Sequence, residues 1–158
     1  MNEQHLKRLV CVSGIFATLL VTLPLISGVS GHDTIMIRGF NLMEFSPFGC
    51  VPLLAPMLIV FVACGSQTQA VKESAIILFT VGNLICYTQA FNIAREWLSV
   101  HADSMFTCYP GIVWVPAACI LETMLWFLVG WYLKYLTYHF ADEDVAYITL
   151  MVPRDWVD

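Results

Sequence analysis

Ile112 to Tyr132 reads IVWVPAACILETMLWFLVGWY. The run is 21 residues long, carries three tryptophans and holds a single acid, Glu122, near its middle. A helix rises ~1.5 Å per residue, so this stretch is long enough to cross the ~30 Å hydrocarbon core of a bilayer. It reads as a transmembrane helix, and the other apolar runs of the chain are read against it.

Composition points the same way. Of 158 residues, 59% are hydrophobic and 12% are charged, against roughly 25% charged in soluble domains. Three further apolar runs precede the first: Leu9–Val29, Phe48–Cys64 and Ser74–Ala94. The first outlasts the roughly 7–15-residue apolar region of a signal peptide, so it reads as a retained span. Pro24 lies near its far end, where it is expected to bend the helix. Pro52 and Pro56 stand four apart in the second run, on one helix face, and are expected to kink it.

The fold class that follows is an all-α integral membrane protein, a four-transmembrane-helix bundle with a short outer loop hairpin. Its domains are a transmembrane part over residues 1–139 (spans 9–29, 48–64, 74–94 and 112–132) and an acidic tail over 140–158. The hairpin is expected where Thr34–Ile37 and Leu42–Phe45 flank Arg38-Gly39-Phe40-Asn41, since Gly and Asn tolerate tight-turn geometry. Trp97 and Tyr109, in the loop before the last span, are expected as interface anchors.

Basic residues orient the chain. With the N-terminus inside, Lys7, Arg8, Lys72, Lys134 and Arg154 are cytoplasmic, and only Arg38 and Arg95 are outside. Both termini are therefore expected in the cytoplasm, with the chain multi-pass in a cell membrane (inner or plasma). On this topology Cys50 and Cys108 both lie near the outer surface and form a candidate disulfide. The six cysteines include no C-x-x-C pair, so no zinc knuckle or thioredoxin-type motif is expected.

Three features carry candidate chemistry. An ionisable group at mid-bilayer is costly and marks a functional hypothesis. No Lys or Arg shares the depth of Glu122, so its protonated form is favoured, and a protonated carboxyl donates hydrogen bonds well. Asn83 falls within ~3 Å of the same depth on the antiparallel third span, which predicts an Asn83–Glu122 hydrogen bond as interhelical glue. The alternative reading is a proton or cation site, in a wet cavity or as a ring of Glu122 side chains around an oligomer axis. Thr80, Asn83 and Tyr87 share one helix face at i, i+3, i+7 spacing and form the second candidate. The third is the tail, where Asp142-Glu143-Asp144 precede VAYITLMV, which includes Tyr147 and Ile148. This β-branched segment is expected either to fold back on the bundle as a strand or helix or to add as a strand to a cytosolic partner.

No H-E-x-x-H, G-x-S-x-G or phosphate-loop motif is present, so an enzyme is not expected. His5, His32, His101 and His139 lie outside the helix centres, against a buried bis-histidine haem. Neither cofactor nor metal is expected, and no basic run suggests nucleic acid. The claudin pattern W…G-L-W…C…C and the tetraspanin C-C-G are absent. The expected function is a non-enzymatic membrane subunit, a sensor or scaffold, that lies in the lipid bilayer, self-associates as a homo-oligomer and recruits a cytosolic protein through its tail. The alternative is an oligomeric channel or proton/ion pathway using Glu122.

Overall fold

The computed structural model describes residues 3–65, 68–103 and 106–151. The chain is mostly helical, at 77%. Among the described residues three helices are long and apolar enough to cross a membrane: Pro47–Cys64, Ala70–His101 and Gly111–Tyr132. A shorter apolar helix covers Arg8–Leu20. The elements run α1 (Glu3–Leu20), β1 (Pro24–Ser30), β2 (Asp33–Arg38), a short α2 (Leu42–Phe45), α3 (Val51–Cys64), α4 (Gln69–His101), β3 (Thr107–Cys108) and α5 (Gly111–Met151). Two compact units divide the chain, Met1–Trp126 and Phe127–Asp158.

The first expected span is cut short. Its helix stops at Leu20 rather than running to Val29. Val21, Thr22 and Leu23 tighten the last turn with amide bonds to Thr18, Leu19 and Leu20. Pro24 has no amide to continue the helix, and it pushes the residue before it out of helical geometry. The apolar residues that follow become β1, where Leu25, Ile26, Ser27 and Gly28 are all buried. A strand buried on both faces loses its alternation, which is why it reads like the end of a helix.

The hairpin therefore lies earlier than expected. β1 pairs antiparallel with β2, Ser30 opposite Asp33, around a two-residue turn at Gly31-His32. Gly31 adopts φ +59°, which a side chain disfavours and a tight hairpin turn requires. Leu42–Phe45, expected as the second strand, is one turn of helix. A third strand comes from far along the chain: β3 pairs with the other edge of β1, giving the order β2-β1-β3.

The sheet sits on the end of α4. Val21, Leu25, Ile26, Ile37 and Leu42 pack with Tyr87, Ala90, Ala94 and Leu98 of α4 and Val115 of α5. One stripe of α4 is buried along its length: Ile76, Thr80, Asn83, Tyr87, Ala90, Ala94 and Leu98. The spacing of three and four is that of a helix facing a core. Trp97 stacks on His101 at 4.2 Å between ring centres and tilts against Phe45 at 5.3 Å.

Within this unit α3 packs against both α1 and α4. Pro52 falls in the first turn of α3, where a missing amide leaves no gap in the ladder; only Pro56 interrupts the helix interior. At the other end the Lys72 ammonium donates to the Ala63 carbonyl at 3.2 Å, a cation on the negative end of a helix.

In the second unit α5 continues as a helix to Met151. Trp131 and Tyr135, one turn apart, place their rings 6.4 Å apart. Val145 to Met151, expected either to fold back as a strand or helix or to add as a strand to a partner, is helical. Nothing between Gly130 and Pro153 breaks the helix that begins upstream, and an established helix extends at little cost.

Candidate functional site

Glu122 and Asn83 are the two most enclosed polar side chains, at 2% and 1% exposure. Asn83 comes from the core stripe of α4, and Glu122 from α5. Thr80 and Thr123 flank them, also buried. The predicted shared face of Thr80, Asn83 and Tyr87 is found, all three turned inward.

The predicted Asn83–Glu122 hydrogen bond is not formed. The Asn83 Oδ1 atom and both Glu122 carboxyl oxygens lack a partner among the described residues. Depth matching in sequence fixes the height of two groups but not their azimuth around each helix. The bond that joins α4 to α5 at this level is Thr80 Oγ1 to Thr123 Oγ1, at 2.5 Å. Each hydroxyl also reaches its own helix, Thr80 to the Ile76 carbonyl and Thr123 to the Cys119 carbonyl, both at 2.9 Å. The two hydroxyls have one proton each, so two of these three contacts at most are full hydrogen bonds at one time. The Cys119 thiol lies within hydrogen-bond reach of Asn83 and Thr80.

Two residues complete the enclosure that sequence reasoning did not single out. Gly14 of α1 lies directly over the site. A Cβ placed on it would stand 2.2 Å from Val60 Cγ2 of α3 and 2.8 Å from Glu122 Oε1. Only glycine lets α1 approach this closely, in the manner of small residues at helix contacts in membranes. Thr123 is the other; its signal was adjacency to Glu122 on a face opposite Thr80.

Tyr87 has a distinct role. Its hydroxyl donates to the Ile112 carbonyl of α5 at 2.9 Å. Four residues on from Ile112 stands Pro116, inside the helix, which has no amide to bond that carbonyl. The tyrosine from the neighbouring helix supplies the missing donor.

The candidate disulfide does not form. Cys50 and Cys108 are free thiols, and Cys50 donates instead to the Pro47 carbonyl at 2.9 Å. Tyr109, expected as an interface anchor, has its hydroxyl 3.2 Å from Ser27 Oγ and its amide on the Leu25 carbonyl at 2.9 Å. It anchors the sheet to the start of α5. Asp142, Glu143, Asp144, Tyr147 and Ile148 all fall in α5; their side chains lie outside the described residues, as do residues 152–158. Among the described residues no cluster of three or more His, Cys, Asp and Glu could hold a metal ion.

No protein-family model, curated protein or solved structure matches this chain.

Proposed function

We propose that this protein is a non-enzymatic, multi-pass membrane subunit that self-associates and recruits a cytosolic partner through its C-terminal helix. Four helices cross the bilayer in this reading, the short α1 included, with both termini cytoplasmic and the three-stranded sheet outside. The observation that carries it is the length of α5. It has 41 residues, about twice the number that a bilayer span needs. Only Gly111–Tyr132 is apolar enough to span. The remainder, with Asp142, Glu143 and Asp144, is helix beyond the membrane in this reading, and a helix is a common docking element for a partner. The acids steer it toward a basic surface.

Self-association rests on exposed apolar surface. Between 28% and 33% of each spanning window is buried within the chain. Leu78, Phe61 and Val113 are more than two-thirds exposed, a surface suited to lipid or to a second copy. Deleting residues 141–158 is expected to abolish pulldown of the cytosolic partner while membrane insertion stays intact. Pulldown unchanged by the deletion sinks the proposal.

A second reading is favoured by one observation, the three unpartnered oxygens of Asn83 and Glu122. In this reading Glu122 serves a proton or ion pathway. Enclosure by Gly14 and Val60 of the same chain favours a route through one protomer over a ring at an oligomer axis. Glu122→Gln is expected to alter pH-dependent flux in liposomes; no flux from the wild type ends that reading.

A further inference from the structure

At the end of α3 a second pair of groups has no role in the reading above. Cys11 of α1 and Cys64 of α3 place their sulfurs 3.7 Å apart, 53 residues apart in sequence. Both are free thiols, Cys64 exposed and Cys11 partly so. Two sulfurs alone do not make a structural zinc site, which takes four ligands, and no third metal-binding side chain joins them among the described residues. Proximity of two thiols on separate helices suits a different chemistry.

We propose that Cys11 and Cys64 form an oxidisable dithiol that a hydroperoxide converts to a disulfide, clamping α1 onto α3. A disulfide needs its sulfurs ~2.05 Å apart, so the pair has about 1.7 Å to close. Cys64 is the last residue of α3, followed by Gly65 in extended conformation, so the chain there can adjust at small cost. Access is open. An apolar groove of about 600 Å³ lined by Leu54, Met57, Leu58 and Phe61 leads along α3 to Cys64.

The chemistry balances. The more exposed sulfur, Cys64 Sγ, attacks the terminal oxygen of the hydroperoxide as a thiolate. The O–O bond breaks, the alcohol leaves, and a sulfenic acid remains. Cys11 Sγ then attacks that sulfur, and the S–O bond breaks with loss of water. Overall, two thiols and one hydroperoxide give one disulfide, one alcohol and one water.

The clamp bears on the buried site. Cys11 lies one turn before Gly14 on α1, and Cys64 one turn after Val60 on α3. Gly14 and Val60 are the contact that covers Glu122. Oxidation therefore fixes the seam between α1 and α3 one turn from the carboxyl. With the N-terminus cytoplasmic the pair faces a reducing compartment, where thiols are the resting state and the disulfide is a transient signal.

The test uses the full chain in phosphatidylcholine vesicles, treated with hydrogen peroxide in one arm and cumene hydroperoxide in the other. Free thiols are then trapped with N-ethylmaleimide and the peptides mapped by mass spectrometry. The expected result is a dithiothreitol-sensitive peptide linking Cys11 to Cys64, absent in Cys11→Ser and in Cys64→Ser. Linkage with the aqueous reagent, with the apolar one, or with both supports the proposal and identifies the side from which oxidant arrives. The oxidised wild type is also expected to show a raised unfolding midpoint, reversed by reduction. Failure of both hydroperoxides to give the linked peptide in the wild type overturns the proposal, whatever the serine variants do. Linkage with no change in the midpoint overturns the clamp.

Discussion

The sheet end and the middle of the buried stripe on α4 treat polar groups in opposite ways. Under the sheet, polar groups that meet the core are paired: Tyr87 with the Ile112 carbonyl, Ser27 with Tyr109, and the Tyr109 amide with the Leu25 carbonyl. One turn from Tyr87, the Asn83 and Glu122 oxygens find no partner among the described residues. A buried polar group left unpaired costs ~1–3 kcal/mol. The sheet end is thus built as structure, while the middle holds polar atoms that the described residues do not pair. The contrast sets paired groups under the sheet against a carboxyl and an amide oxygen that find no partner among the described residues.

The largest expected effect tests the structural end. Leu98 is fully buried between α4 and the sheet. Leu98→Ala is expected to destabilise the chain by ~2–5 kcal/mol, read as a lowered midpoint of thermal unfolding in detergent. A change below ~1 kcal/mol would mean that the sheet is not seated on α4 as described.

The next effect differs in sign between the two regions. Glu122→Met removes unpaired oxygens and keeps the volume, so it is expected to raise stability by ~1–3 kcal/mol. Tyr87→Phe strips the donor from the carbonyl freed by Pro116 and is expected to lower stability by ~0.5–1.5 kcal/mol. Both are read by the same thermal measurement. If Glu122→Met instead destabilises, the carboxyl holds a partner, such as an internal water or a bound cation, and the two regions are alike after all.

How far these regions were legible differs too. The inward face of α4 could be read directly, because Thr80, Asn83 and Tyr87 repeat at helical spacing and a helix converts spacing into direction. The apolar span from Gly111 to Tyr132 was legible for the same reason. β1 was not. Leu25 to Gly28 are buried on both faces, and a short apolar run without alternation suits either a helix or a strand. The cover over Glu122 was not legible either. Gly14 and Val60 meet only because α1 packs on α3, and no local pattern announces a pairing 46 residues apart. The tail was legible only in part: its β-branched residues left strand and helix both open, and such residues weigh little against a helix already running into them.

The smallest effect decides what holds α4 to α5 beside the carboxyl. Thr80 and Thr123 bond each other across the helices, yet each also reaches a carbonyl of its own helix. When the partner is removed, the remaining hydroxyl keeps that local acceptor, so each single loss is cushioned. Interhelical hydrogen bonds in membranes average ~0.6 kcal/mol by double-mutant cycle for this kind of reason. A cycle of Thr80→Val, Thr123→Val and the double variant is expected to give a coupling of about that size, measured by unfolding in detergent. A coupling near zero would leave the Tyr87–Ile112 bond and the packing of Val115 on the core stripe as the ties between these helices. A coupling above ~1.7 kcal/mol would mean that the threonine pair is wired into the Asn83–Glu122 site, and that the unpaired oxygens are completed by a group bridging all four side chains.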